Sequence, residues 1–395
     1  MRPRYPFFEI DFPPIEGKQS GEAILIRAGW VDSQRKILDS KVWLIDGGFR
    51  STAEYILKFV DKYYGSTKID YIIATHTDND HIEGLAQIIE HAYVGKLYMH
   101  DPSKHGVVAY VQNQNSSSYS RKSDAGENEC PERRLLIASL KEADNLIDKA
   151  KKKNITTCEP FCFPNSAEKI DTGYDFLRVY ILGPDEGYYK ELLSQFRDYE
   201  KYLRTAKFFS ELSSNQFLQD PLPEATTPEN NSSVILLFDF QGDYFLFTGD
   251  AGVPALERAF ARFPEGDSGT RQILLFKVPH HGSKNNLGPS LLDKVDEAFG
   301  SNTRRKWAIV LAGDQDLGHP DKVVIDALWA RGFEVYANKY QSERGFLGQH
   351  LWFKNAHVPP RAQQVWKPAP LYNAQRLYPE HTTYALMVPA NGACI

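Results

Sequence analysis

Asp70-Tyr71-Ile72-Ile73-Ala74-Thr75-His76-Thr77-Asp78-Asn79-Asp80-His81 joins an apolar, strand-like run to the amphipathic run Ile82-Glu83-Gly84-Leu85-Ala86-Gln87-Ile88-Ile89-Glu90-His91-Ala92. In a nearly extended turn, residues two apart point the same way. His76, Asp78 and Asp80 therefore converge, while His81 enters from the first turn of the helix. Four metal-capable side chains thus meet at the carboxyl end of one strand, the place where open α/β layers build their sites. Left unpaired, the carboxylates would repel one another. A helix N-cap accounts for one aspartate and leaves the others unexplained. The stretch reads as a metal site on an α/β core.

Outward from this motif, strands are expected at 21–29 and 41–48, an amphipathic run at 53–63, a strand at 70–74, a helix at about 81–93 and a strand at 95–100. This alternation signals an α/β fold. Residues 102–172 read as an insertion, with a polar stretch at 112–129 and then Leu136, Leu140, Ala143 and Ile147 at helical spacing. Its Arg133, Arg134, Lys149 and Lys151 to Lys153 form the densest basic grouping of the chain, either a solvated helix face or a lid that grips phosphate. The core pattern resumes at 175–184, and a second excursion fills 185–229. Strands at 232–240 and 243–249 are joined through Gln241-Gly242 as a short hairpin. A helix near 253–263, strands at 272–279 and 307–313, a helix near 320–331 and a strand at 333–337 complete the pattern. Residues 1–355 read as one domain carrying both insertions, and 356–395 as a tail with no assigned role.

Of 395 residues, 42% are hydrophobic and 25% charged, the balance of a globular protein. The net charge of -5 argues against bulk polyanion binding, so affinity for nucleic acid would have to be local. Among four cysteines, Cys158 and Cys162 have no second pair to complete a structural zinc site, and reduced thiols are expected. Cys394 is next to last, whereas prenylation requires the cysteine fourth from the end. No signal-peptide core and no membrane-spanning run is evident, which points to a cytoplasmic protein without membrane partners.

Three further strand ends carry matching chemistry. Asp250 follows 243–249, His280 and His281 follow 272–279, and Asp46 ends the strand at 41–48. A carboxylate such as Asp250 can bridge two cations about 3.5–4 Å apart. Asp46 opens Asp-Gly-Gly, which is also good turn chemistry, and it is expected around the ligands rather than among them. Adjacent side chains at a strand end diverge, so His280 and His281 are not expected on the same ion. One of them is left for proton transfer or substrate contact.

In chain order, Asp-Gly-Gly, His-x-Asp-x-Asp-His, Thr-Gly-Asp, Pro-His-His-Gly-Ser and Gly-His-Pro resemble the metallo-β-lactamase superfamily over about 20–340. Within it they are most similar to the metallo-hydrolase domain of the bacterial DNA-uptake competence channel, and to phosphorylcholine esterases. The resemblance implies an αββα four-layer sandwich with helical insertions and two divalent metal ions, zinc or manganese. It assigns His76, Asp78 and Asp250 to one ion, and Asp80, His81, Asp250 and His281 to the other. His280 would then face the substrate. Glu229-Asn230-Asn231-Ser232-Ser233 resembles the competence-type pattern where many members supply another histidine. No histidine stands there, which leaves water or an asparagine carbonyl to complete the first ion's shell. His319, in Gly-His-Pro, is a candidate proton donor or substrate contact. The candidate catalytic residues are therefore His280, His319 and Asp80, the last also a ligand.

Two divalent ions exceed the charge of Asp78, Asp80 and Asp250 by about one unit, so the site should draw in an anion. Water acidified beside such ions is the expected nucleophile, with His280 or His319 protonating the leaving oxygen. An oxygen donor at position 78, where the commoner motif has histidine, favours harder cations and keeps manganese beside zinc. The expected activity is phosphodiester hydrolysis, on DNA or RNA by resemblance. The alternatives are a small-molecule phosphodiesterase or ester hydrolase acting on a cyclic nucleotide or a phosphocholine-like group, and a di-iron oxidoreductase.

Overall fold

The computed structural model describes residues 3–13, 19–34, 36–105, 131–196, 226–264, 272–299, 306–313, 316–337 and 384–388. The first sheet takes β1 (Arg4–Phe12), β2 (Ile24–Asp32), β3 (Ile37–Ile45), β4 (Lys68–Ile73), β5 (Tyr93–Tyr98) and β6 (Thr156–Cys158). A second sheet is built from β7 (Glu168–Ile170), β8 (Leu177–Gly183), β9 (Ile235–Phe240), β10 (Asp243–Phe247), β11 (Gln272–Lys277), β12 (Lys306–Val310) and β13 (Phe333–Ala337). Finally β14 (Tyr384–Val388) returns to the first sheet, antiparallel to β1. Strands β3 to β6 run parallel, as do β10 to β13, so each sheet has a set of aligned carboxyl ends.

Strand periodicity accounts for the layering. Ile24, Ile26 and Ala28 enter the core between the sheets, while Ala23 and Leu25 enter the core on the other face. Leu236 and Phe238 likewise face inward, and Ile235 and Leu237 outward. A strand buried on both faces is largely apolar, as these are apart from Arg27, Asp32 and Asp239. Between the sheets, Phe8, Trp43, Phe238, Phe245, Phe247 and Trp307 form the aromatic centre, with Trp43 stacked on Tyr71 at 5.2 Å between ring centroids. Over the outer face of the first sheet lie α1 (Arg50–Phe59), α2 (Asn79–His91) and the helix Pro131–Lys152. The helices Glu186–Phe196, Val253–Phe260, Pro289–Phe299 and Lys322–Ala330 cover the second. The order of layers is αββα.

The structure revises several sequence readings. Residues 102–172 are only in part an insertion. The helix Pro131–Lys152 buries Ala143, Leu146, Ile147 and Ala150 in the outer core of the first sheet and Leu140 in that of the second, Thr156–Cys158 joins the first sheet, and Glu168–Ile170 edges the second. Of its basic residues, Lys149 pairs with Glu90 at 2.6 Å, Lys151 with Asp148 at 3.7 Å, and Lys153 donates to the Glu90 carbonyl, while the side chains of Arg133 and Arg134 lie outside the described residues. The polar stretch at 112–129, most of the second excursion (197–225) and most of the tail lie outside the described residues. Cys158 and Cys162 are free thiols. Two further strands were not expected. β1 carries Glu9 and Asp11, which are buried only because Arg27 pairs with Glu9 at 2.6 Å and the Tyr64 hydroxyl donates to Asp11. β14 supplies the first sheet with its outermost strand. Among the described residues, no helix is long and apolar enough to cross a membrane.

The motif is held at the strand ends by backbone contacts. The amide of Gly47 donates to the His81 carbonyl at 2.7 Å, and that of Gly84 to the Gly48 carbonyl at 2.9 Å. A Cβ on Gly84 would lie 2.2 Å from the Gly47 oxygen, so only glycine lets α2 approach the Asp-Gly-Gly turn this closely. Val234 donates to the Thr75 carbonyl at 2.9 Å, which ties the second sheet to the end of β4.

Candidate metal centre

Each candidate ligand follows a strand whose carboxyl end faces the same edge. His76 and Asp78 follow β4, Asp80 and His81 open α2, Asp250 follows β10, and His280 and His281 follow β11. They converge on one atom. The Nε2 atoms of His81, His280, His281 and His76 stand 3.3, 3.7, 3.8 and 4.0 Å from Asp250 Oδ2. Asp80 Oδ2 lies 3.2 Å from His281 Nε2 and 3.7 Å from His81 Nε2, and Asp78 Oδ2 lies 3.6 Å from His76 Nε2.

The other nitrogen of every ring is occupied, and this selects the face each histidine presents. His81 Nδ1 donates to Asp46 Oδ2 at 2.7 Å. Thr75 Oγ1 also donates to Asp46 Oδ2, which leaves it to accept from His76 Nδ1 at 3.0 Å. His281 Nδ1 donates to the Leu311 carbonyl at 2.7 Å. His280 Nδ1 faces Asn286 Oδ1 at 3.0 Å, and that oxygen is an acceptor because the Asn286 amide nitrogen donates to the Asp250 and Ala251 carbonyls. All four rings therefore aim Nε2 at the centre, the arrangement by which outer partners orient histidine ligands. Asp46 takes the surrounding position expected of it, accepting also from the Thr75 amide.

The donor set fits divalent cations. His76 Nε2 and His81 Nε2 are buried without a hydrogen-bond partner, a costly state unless a cation takes the lone pair. Donors about 2.0–2.2 Å from one ion stand roughly 3–4 Å from each other, as these do. Two clusters at the centre bring their donor atoms within 4.8 Å of one another, His76 with His81 and Asp250, and Asp80 with His81 and His281. His81 thus reaches both.

His280 and His281 depart from the diverging geometry expected of extended chain. Both have left-handed backbone, with φ of 46° and 55°, followed by Gly282 at 82°. The left-handed turn brings both rings to the same carboxylate. A Cβ at Gly282 would meet Pro320 at 2.7 Å, so the turn needs glycine there. His281 is fully enclosed, whereas the His280 side chain keeps 31% of its surface exposed. His319 lies beside them, with ring centroids 5.9 Å from His280 and 6.0 Å from His281, and its Nδ1 contacts Asp316 Oδ2 at 3.1 Å. The segment Glu229 to Ser233 packs on the centre. Ser233 Oγ accepts from the Asp250 amide, Asn231 Oδ1 from the Gly252 amide, and Asn230 Nδ2 lies 3.4 Å from His280 Nδ1. Asn230 Oδ1 is buried without a partner, which suits the carbonyl donor suggested for the first ion. Burial, reinforced by Asp78, pushes the neighbouring Glu229 carboxyl up to about 8.

Glu22, Thr75, Lys277 and Asn286 were missed by motif reading. Lys277 had one signal, a lone charge inside the apolar run Gln272–Lys277. Of the histidines given no role, His91 caps onto the Gln87 carbonyl and His105 contacts Glu159 at 3.1 Å. His100 sits between the rings of Phe161 and Tyr189, where burial lowers its pKa to about 3. His350, His357 and His381 lie outside the described residues.

Four layers with this centre between the two sheet ends define the architecture, and the family model of the metallo-beta-lactamase superfamily matches residues 37–157. The chain has the metallo-β-lactamase fold. The matched segment runs from β3 through β6 and contains the whole His76 to His81 motif of the metallo-β-lactamase domain. Among solved structures, one titled as a new diphosphatase from the PhnP family is 12% identical with a TM-score of 0.34, covering 79% of this chain and 89% of that one. No curated protein matches.

Electrostatics couple metal uptake to protons. Burial opposes charge on Asp80, yet His81 and His281 hold its pKa down at about 2. Burial likewise opposes charge on His81, but Asp250, Asp80 and Asp46 hold its pKa well above the ordinary value, and Asp250 and Asp80 raise that of His281. The ion-free centre thus favours protons on nitrogens that a cation would claim. Metal addition should release about one or more protons per chain, and apparent affinity should rise with pH. Calorimetric titration in buffers of different ionisation enthalpy measures this; heats independent of buffer would contradict the assignment of these imidazoles as ligands.

Proposed function

We propose that the chain is a metal-dependent phosphodiesterase that works through two divalent cations at the Asp250 centre, with nucleic acid as substrate. The observation that carries this is the convergence of four imidazole Nε2 atoms on Asp250 Oδ2, flanked by Asp78 and Asp80. When bound, the cations supply acidified water and neutralise charge that develops on the phosphoryl oxygens. His76, Asp78 and Asp250 would hold one ion, and Asp80, His81, Asp250 and His281 the other. Asp46 and Thr75 keep the His81 and His76 rings in register. His280, open on one side and oriented by Asn286, is placed to give a proton to the leaving oxygen, with His319 as its neighbour. The oxygen donors Asp78 and Asp80 favour manganese beside zinc. Nucleic acid is favoured over a small phosphodiester by the sequence likeness to the DNA-uptake competence domain alone.

Metal analysis of the purified protein, followed by a panel of bis-p-nitrophenyl phosphate, single- and double-stranded DNA, RNA, cyclic nucleotides and a phosphocholine ester, tests this reading. Phosphodiester cleavage that depends on added manganese or zinc is expected. Cleavage of a β-lactam or thioester but of no phosphodiester would overturn it, and cleavage of cyclic nucleotides or phosphocholine esters alone would move the substrate to the small-molecule class.

A further inference from the structure

Glu22 and Lys277 are both completely buried, and neither is in the ligand sets above. Glu22 stands just ahead of β2, and its amide donates to the Asp80 carbonyl at 3.1 Å. Lys277 ends β11, four residues before His281. The Lys277 ammonium contacts the Glu22 carboxylate, donates to the Gly249 carbonyl at 3.0 Å, and lies 3.9 Å from Asp250 Oδ1. Asp250 is thereby divided between two neighbourhoods. Its Oδ2 faces the four histidines, and its Oδ1, buried and without a hydrogen-bond partner, faces Lys277.

A fully buried ion pair is a poor way to stabilise a strand, since apolar residues of similar size commonly do as well or better. Its position gives it another use. A carboxylate free to turn can close both oxygens on a single cation, and one held that way is a poorer donor to a second. A fixed ammonium behind one oxygen blocks that rotation, and Glu22 balances the charge that would otherwise repel nearby cations. We infer that Glu22 and Lys277 form a buried clamp that reserves Oδ1 of Asp250, so that Oδ2 alone joins the two metal ions. Lys277 is a positioning residue, and Glu22 holds it. This inference rests on the two-metal reading above and specifies how the shared ligand is kept shared.

The test uses the full chain loaded with manganese by dialysis, with metal content by elemental analysis, electron paramagnetic resonance of the bound ions, and circular dichroism for folding. Wild-type protein should take two ions and give an exchange-coupled signal. Lys277→Met alone strands a buried carboxylate and is expected to fold poorly, so the informative variants are Glu22→Gln/Lys277→Met, which removes both charges, and Glu22→Gln, in which the Lys277 ammonium keeps the Gly249 carbonyl and Asp250 Oδ1 as partners. Both should keep wild-type circular dichroism and bind the second ion about 10- to 100-fold more weakly, the usual effect of losing an outer partner. The double variant should also show the six-line signal of isolated manganese at one ion per chain. Folded variants that bind two ions with wild-type affinity and coupling would overturn the clamp. Wild-type protein that itself takes a single ion would overturn the two-metal reading and the clamp together, so the two failures are read in different samples.

Discussion

Asp250→Ala should lose both metal ions, or all but a residual one, and with them more than about 10²-fold of activity, beyond the 10- to 100-fold typical of an outer partner. The expectation follows from where Oδ2 lies, with the Nε2 atoms of His81, His280, His281 and His76 all within 4.0 Å. In the proposed two-ion site a carboxylate so placed would serve both ions and offset the repulsion between them, which a neutral imidazole would not. Its backbone is fixed independently of its side chain. The amide is held by Ser233 Oγ and the carbonyl by Asn286, so the alanine variant should keep its turn and lose only the ligand. Metal content by elemental analysis and turnover on bis-p-nitrophenyl phosphate measure the outcome. Asp80→Ala should behave similarly, because Asp80 Oδ2 lies 3.2 Å from His281 Nε2. Full metal occupancy with normal turnover in either variant would contradict the assignment.

The second large effect separates two histidines that share a turn. His281→Ala should lower metal content, and added manganese or zinc should restore part of its activity. The ring is enclosed, is tied through Nδ1 to the Leu311 carbonyl, and directs Nε2 between Asp80 and Asp250. His280→Ala should keep its metals and lose roughly 10²- to 10⁴-fold in rate, the usual worth of a positioned proton donor. That ring is the one partly open to solvent. On an activated aryl ester, whose leaving group needs no proton, the His280→Ala loss should shrink while the His281→Ala loss should not. Metal loss from the His280 variant and retention in the His281 variant would exchange the two roles.

Sequence by itself determined the elements that build the site and the residues that meet there. The strand endings at Ile45, Ile73, Phe247 and Lys277, the start of α2 and the period-two burial of β2 and β9 are local properties, set by side-chain alternation and by which residues can cap or turn. His76, Asp78, Asp80 and His81 were legible because four metal-capable side chains in six residues have no use in a core. Tertiary structure alone decided what depends on distant partners. β1 hid its strand character because Glu9 and Asp11 break the apolar pattern, and only Arg27 and Tyr64 make their burial tolerable. The left-handed turn that gathers His280 and His281 onto one carboxylate is held by His280 to Gly249 and Gly282 to Pro320 contacts that adjacent residues do not reveal. Glu22 and Lys277 stand far apart in the sequence, and the lone charge of Lys277 in its apolar run does not say what balances it. Their meaning is a charge balance inside a low-dielectric interior, and that exists only once the two sheets have closed over them.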